Sequence, residues 1–415
     1  MRFFKDAAIT WICLVAALLL LEAGLRVAGV RYTASFFTPE WERGYALRPN
    51  AEGWEAGENE NYVRLNREGN YDRDRTLEVP PGTLRVAIIG SSEAEAQQVP
   101  LEKTFQAVIE RELRKAGLSR WRNVEVMNFG VPGYGMAQEY LTLHNRVWKY
   151  HPQIVVLATT AFVVLTNTRE LYPFPGQSSP FFDFENRALL PDAQTRSAPP
   201  LDQQRLRRKN RLSDLMNRSY LLLMLNEARA NFPDVLRQIR DRWSLRSKQA
   251  SQAVSLPSDY QSTWPYLPNL PAMQKSWRIA DGLLGLMKHD CDGHGAEFWL
   301  IALDMVMQVH PDVATREAFR ERLGVASLYE SDERLASMAT AKSIHSLMLA
   351  PMLAQYSATH HVALHGFFNT KFNDGHWNEL GHEVAGRAIA HELLNSSGVI
   401  RGFNDASPGL IKASN

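Results

Sequence analysis

A chain of 415 residues is long enough for one large hydrophobic core with appendages, or for two domains. Lys+Arg 46 against Asp+Glu 45 leaves a formal charge of +1, which gives no reason to expect nucleic acid as a partner. The two cysteines, Cys13 and Cys291, lie far apart, so a disulfide framework is excluded and the redox compartment stays open.

Arg2 and Lys5 precede an uncharged run from Ala7 to Leu21, and apolar residues continue past Glu22 and Arg26 to Val30. A basic flank before an apolar stretch is the pattern of membrane insertion or export. Residues 1–30 are therefore expected to form a transmembrane signal anchor, N-terminus cytoplasmic, with the bulk of the chain periplasmic. A cleaved secretory signal is the alternative, and a buried soluble helix fits the basic flank less well. Residues 31–80 are polar, with Pro39, Pro49 and Pro80, and read as an extended arm of short strands and turns.

An alternation of strands and helices begins at residue 81. Leu84–Gly90 is an apolar run ending in a turn, and Phe105, Val108, Ile109 and Leu113 have helical spacing before Gly117. Val124–Gly130 predicts a second strand, 136–148 a helix that stops before Pro152, and Ile154–Ala158 a third strand. Residues 172–271 change character to Pro- and Ser-rich stretches around a basic run, and read as an insertion with amphipathic helices, one over 220–242. The basic run reads as a solvated face. The α/β pattern returns over 272–398: helix 275–289, strand 297–303, helices 312–323 and 341–357, strand 361–366 and helix 378–394, followed by a tail over 399–415. Five strands with interleaved helices predict a three-layer α/β/α domain with a mostly parallel sheet, its core split into 81–171 and 272–398.

Reactive groups of such sheets collect beyond the carboxyl ends of the strands. Ser91 and Ser92 follow the first strand. The Gly-rich Asn128-Phe129-Gly130-Val131-Pro132-Gly133 segment closes the second. Asn373-Asp374-Gly375-His376 lies late in the domain. Together they could supply a nucleophile, oxyanion donors, and a base with its orienting acid. His289, Asp290, Cys291, Asp292 and His294 have too compact a spacing for a metal site and read as a helix-to-strand loop. His382 reads as a packing residue. No metal and no cofactor are expected.

These blocks resemble the SGNH (GDSL-type) hydrolase family in its membrane-anchored bacterial branch, over roughly residues 60–171 and 275–395. The resemblance implies a flavodoxin-like fold, with Ser92 as nucleophile, His376 as base, Asp374 as the nearest candidate acid, and the N–H groups of Ser92 and Gly133 as oxyanion donors. Two blocks depart from the family. Ser91 stands where the family has Asp. The third block, Ala161-Phe162-Val163-Val164, lacks the family's oxyanion Asn, and Asn167 lies about a turn too late to replace it. Glu93 and Glu95 also add carboxylates next to Ser92, which disfavours developing negative charge.

Two functions are consistent with these residues. The first is a weak esterase or O-acyl transferase acting on acyl esters of envelope carbohydrate. The second is a catalytically degenerate SGNH fold retained as a binding or structural subunit of a membrane complex.

Overall fold

The computed structural model describes residues 2–174, 178–229, 259–368 and 370–402. A long helix α1 (Arg2–Val27) leads into two hairpins, β1 (Phe37–Glu40) with β2 (Gly44–Leu47) and β3 (Glu52–Glu55) with β4 (Asn61–Arg64). Then come β5 (Thr83–Gly90), α2 (Ser92–Glu95), α3 (Phe105–Lys115), β6 (Asn123–Asn128), α4 (Met136–Thr142) and β7 (Ile154–Thr159). The insertion carries the hairpin β8 (Phe182–Glu185) and β9 (Ala188–Pro191), α5 (Ala193–Arg196), α6 (Gln203–Asn217), a helix α7 over 220–229, and α8 (Tyr260–Thr263). The chain continues through α9 (Gln274–Gly293), β10 (Glu297–Ala302), α10 (Val313–Leu323), α11 (Glu330–Thr340), β11 (His345–Met348), α12 (Ala350–His360) and α13 (Glu379–Ser396).

One five-stranded parallel sheet, in the order β11-β10-β7-β5-β6, organises the molecule. Its strands are apolar on both faces because helices cover both. Ala87, Ile89, Val155, Leu157 and Leu300 face α9, whose Trp277, Leu283, Leu284 and Met287 are buried against them. Val86, Ile88, Val156, Trp299 and Ile301 face α3, α12 and α13 through Phe105, Ile109, Leu353 and Ile389. This is a three-layer α/β/α fold. The described residues of the insertion contribute no strand to the sheet, since β8 and β9 pair only with each other.

The edge of the sheet differs from the sequence expectation. The fifth strand is 345–348 rather than 361–366, and the span expected as a helix over 341–357 holds a turn, β11 and the first part of α12. Pro351 explains part of this: a proline breaks a helix interior but suits its first turn, and it starts α12 there. His361 then ends α12 in a left-handed conformation, φ 54°, so 361–366 turns back instead of extending. The His289–His294 segment forms the last turns and cap of α9 rather than a loop. Residues 230–242 of the expected insertion helix and 403–415 of the tail lie outside the described residues.

The stretch Phe4–Val27 of α1 has a mean hydropathy of 2.2, is not buried in the fold, and is long and apolar enough to cross a membrane. Its 24 residues span about 36 Å at 1.5 Å per residue. The hairpins after it do not hang free. Phe36, Leu47, Val63, Leu65 and Tyr71 form a small core with Val131 and Tyr134 of the segment after β6. Asn61 reinforces this, its side-chain amide donating to the carbonyls of Gln97 (2.7 Å) and Val99 (2.9 Å). The arm is thereby fixed to the turn after β5.

Candidate active site

The chain reverses direction across the sheet at β5, running first to β6 on one side and then to β7 on the other. A crevice forms at such a switch point, beyond the carboxyl ends of the strands. Ser92 starts α2 at that place, immediately past β5. The turn is tight. A Cβ on Gly90 would lie 2.3 Å from the Ala158 carbonyl oxygen, and one on Gly130 would lie 2.3 Å from the Glu95 nitrogen. Only glycines let β5, β7 and the segment after β6 approach this closely.

His376 reaches Ser92 from the loop before α13. Its Nε2 is 2.7 Å from Ser92 Oγ, within hydrogen-bond reach of a nucleophile and its base. Its other nitrogen meets a residue that the sequence reading missed: Nδ1 is 2.6 Å from Glu58 Oε1, and the His376 backbone N–H donates to Glu58 Oε2 at 2.9 Å. Glu58 sits on the turn between β3 and β4. Gly375 makes room for it, since its φ is +70° and a Cβ there would lie 2.6 Å from Glu58 Oε2.

Asp374 takes no part in this contact. Its exposed carboxylate accepts from the Gly375 N–H at 2.9 Å, which caps the turn. The geometry therefore replaces Asp374 by Glu58 as the carboxylate on His376. The pairing joins residues 318 positions apart, and no local pattern signals it.

A second carboxylate competes for the same centre. Ser92 Oγ donates to Glu93 Oε2 at 3.2 Å, and Glu93 Oε1 lies 3.9 Å from His376 Nε2. Burial disfavours the charged imidazolium, but Glu93 and Glu58 outweigh it and push the His376 pKa up to about 9. Burial likewise works against the Glu58 carboxylate, and its hydrogen bond and charge contact with His376 win, so its pKa falls. At neutral pH the resting arrangement is an imidazolium between two carboxylates, with Ser92 accepting from His376 and donating to Glu93.

Ser92 and Gly133 line the same pocket, and neither backbone N–H donates to a protein acceptor among the described residues. Gly133 has φ +76°, a conformation that favours glycine. Both N–H groups are thus available to a developing oxyanion. The third donor of the resemblance is replaced. Phe162 lines the pocket, whereas Asn167 is buried away from it and donates to the Ser276 carbonyl at 3.2 Å.

The pocket has a volume of about 700 Å³ and is walled mainly by apolar and aromatic groups, including Phe37, Tyr134, Phe174 and Tyr266. Its floor holds a second His–Asp pair that the sequence reading did not single out. His365 Nε2 is 2.7 Å from Asp304 Oδ2, His365 Nδ1 is 2.8 Å from the Gly375 carbonyl oxygen, and Trp377 Nε1 donates to Asp304 Oδ1 at 2.8 Å. Burial opposes charge on His365, but Asp304 prevails and raises its pKa. Asp304 follows β10 directly, so this pair ties the loop carrying His376 to the sheet. His382 is buried and stacks on Phe105; burial lowers its pKa to about 3, so it packs as a neutral ring. No group of three metal-ligating side chains occurs among the described residues.

No family model matches the sequence, and no curated protein matches it. Similar solved structures include an acetyl xylan esterase, at 9% identity and TM-score 0.37, covering 75% of this chain and 100% of that one. A lipase/acylhydrolase from Enterococcus faecalis has 13% identity and TM-score 0.36 over 75% of this chain and 96% of its own. An alpha/beta hydrolase enzyme from the metagenome of Lake Arreo, Spain, has 11% identity and TM-score 0.36 over 78% and 100%. The parallel α/β/α sheet with a serine at the switch point, the Gly133 N–H one strand away, and a histidine from the loop before the last long helix is the arrangement that the resemblance to SGNH hydrolases implies.

Proposed function

We propose that this chain, built on an SGNH-hydrolase fold, is a membrane-anchored serine esterase or O-acyl transferase working on the extracytoplasmic side. The observation that carries the reading is the 2.7 Å contact between Ser92 Oγ and His376 Nε2, with Glu58 on the other ring nitrogen. The anchor would be α1, inserted with Arg2 and Lys5 on the cytoplasmic side.

The reaction begins when His376 is neutral. Ser92 gives its hydroxyl proton to Nε2 as Oγ bonds to the ester carbonyl carbon, and the carbonyl oxygen becomes an anion held by the N–H groups of Ser92 and Gly133. Glu58 holds the imidazole ring in place and stabilises the imidazolium. Collapse breaks the bond to the leaving alcohol, which takes the proton from Nε2 and leaves an acyl-Ser92. Water, or a hydroxyl of a second substrate, then repeats these steps in reverse and frees the serine.

Acyl esters of envelope carbohydrate suit the pocket. Phe37, Phe162 and Phe174 keep part of their rings exposed and offer apolar surface to sugar rings in a pocket of about 700 Å³. The test is hydrolysis of a short-chain aryl ester and of an acetylated oligosaccharide by the full chain in detergent, beside Ser92→Ala. Loss of turnover in the variant is the expected outcome, and equal rates for the two proteins would refute the assignment.

A second reading draws on Phe162. With an apolar ring where a donor is expected, and His376 protonated at neutral pH, the same fold could bind an acylated ligand without turnover and act as a subunit of a membrane complex. Binding of the acetylated oligosaccharide by a chain inactive at every pH would favour it.

A further inference from the structure

The two charged residues near the outer end of α1 do more than close a helix. Glu22 pairs with Arg26 at 2.7 Å and also accepts from Ser219 Oγ (2.9 Å) and from the backbone N–H groups of Tyr220 (3.1 Å) and Leu221 (2.9 Å). Arg26 donates to the Arg218 carbonyl at 2.7 Å and lies over the Tyr220 ring. The start of α7 is therefore fastened to the point where α1 leaves the fold.

The surface around that point has an unusual make-up. Between 203 and 229 there are seven Arg and Lys residues against Asp214 and Glu227. Asp214 is committed to Arg48. Arg205, Arg207, Arg208, Lys209 and Arg211 have no ion-pair partner among the described residues. Leu212, Leu215 and Leu225 are each more than half exposed, and Leu222 is exposed beside them. On α6, Arg205, Arg208, Leu212 and Leu215 share the face opposite the buried Ser213.

Aromatic groups complete the patch. The Asn217 side chain donates to the Glu52 carbonyl at 3.2 Å, which seats the end of α6 on the β3–β4 hairpin. There Trp54 and Tyr62 contact edge to face, with the Arg31 guanidinium 3.6 Å over Trp54. Arginines, leucines and amphipathic aromatic rings side by side are the composition of a bilayer–water interface.

We propose that α6 and α7 form a second membrane contact, lying in the headgroup layer of an anionic phospholipid bilayer beside the exit of α1. The inference rests on α1 being the membrane span. Leucines of the outer face dip below the phosphates, and the basic side chains meet them. A consequence reaches the active site. Thr38 Oγ1 donates to Asn210 Oδ1 of α6 at 3.0 Å, and the neighbouring Phe37 lines the catalytic pocket. The contact holds the pocket close to the membrane surface, so that a membrane-borne acyl donor or acceptor can reach Ser92.

The test uses the full chain in vesicles of phosphatidylglycerol and phosphatidylcholine containing a bromolipid quencher. Leu215→Cys and Leu225→Cys, each made with Cys13→Ser, carry a fluorophore, and Cys291 is buried and stays unlabelled. Leu77→Cys is the control, because the residue 77 carbonyl accepts from Arg85 near the amino end of β5, whereas the pocket and the arm beneath α6 lie beyond the carboxyl ends of the strands. The chain labelled at its own Cys13 reports insertion of α1. Loss of fluorescence at 215 and 225, weakened by salt and absent at 77, is the expected result. If 215 and 225 behave like 77 while Cys13 is quenched, the second contact is wrong although the anchor stands. An unquenched Cys13 removes the anchor and this proposal with it. Quenching at 215 and 225 that is unchanged in pure phosphatidylcholine overturns the role given to anionic headgroups.

Discussion

The Nδ1 of His376 lies 2.6 Å from a Glu58 carboxylate oxygen although 318 residues separate the two in sequence. The arm after α1 is therefore part of the site and not only a spacer between membrane and core. Its small apolar core around Phe36, Val63 and Tyr71, together with the Asn61 bonds to the turn after β5, sets the position of the Glu58 turn. A carboxylate that touches both the ring and the backbone N–H of His376 fixes the orientation of the imidazole as well as its charge.

Glu58→Ala is expected to lower kcat on the order of 10²- to 10⁴-fold, as loss of an orienting carboxylate does in serine hydrolases. Asp374→Asn should change kcat by less than about threefold, well within the effect of an exposed substitution. Steady-state hydrolysis of an aryl ester by both variants checks the assignment. The reverse ranking would restore Asp374 and sink Glu58.

The pH profile should follow His376. Its pKa is raised to about 9, chiefly by Glu93 and Glu58 against the opposing effect of burial, and only the neutral ring can take the Ser92 proton. Activity therefore rises with pH through the 7–9 range. Glu93→Gln removes one of the two main anions, so it should move the midpoint down and increase the rate at pH 7. A midpoint that stays in place would mean that Glu93 does not govern the base.

Much of this was legible in the chain. Apolar runs ending at Gly90, Asn128 and Thr159 mark buried parallel strands, and the residues just after them must gather at one edge of the sheet. Ser92, Gly133 and the loop of His376 follow from that rule. Glu58 does not, because a polar turn in an arm carries no periodic signal and its partner is set by tertiary packing. Asp304 carries the same signal as Ser92, since it stands just past the carboxyl end of β10. The fifth strand falls at 345–348 because Pro351 marks a helix start and leaves the residues before α12 free to extend.

Phe162 offers a gain-of-function test. It lines the pocket at the third-block position, where a hydrogen-bond donor would face the oxyanion. Adding one such donor is worth up to about 10²-fold in kcat, the lower end of what its removal costs elsewhere. Phe162→Asn should therefore raise kcat, by roughly tenfold or more if the amide reaches the pocket. Phe162→Ala separates the two effects of the change, for it opens the same space and supplies no donor. Equal rates for the Asn and Ala variants would show that the position does not contact the developing charge.

Glu95 should make stability depend on pH in a window that opens well below the catalytic one. It is fully buried, one carboxylate oxygen accepts from the Gln97 N–H at 2.8 Å, and the other has no partner among the described residues. Burial pushes its pKa up from 4.5 to about 8, so the folded protein keeps a proton that the unfolded chain releases. The stability from this proton is complete below pH 4.5, falls as the pH rises towards 8, and is lost above it, by at most about 1.4 kcal/mol per pH unit. Glu95→Gln has no such titration. Thermal unfolding of both proteins at pH 5 and pH 8 should show the difference in stability moving in favour of the variant by about 1–3 kcal/mol, because relaxation around the ionised group offsets part of the full shift. Glu95 is one of the anions that raise the His376 pKa, so both proteins carry His376→Gln, which removes that coupled titration from the comparison. Parallel stability curves across that window would place Glu95 as an ordinary ionised carboxylate and require an acceptor partner or water access for its second oxygen.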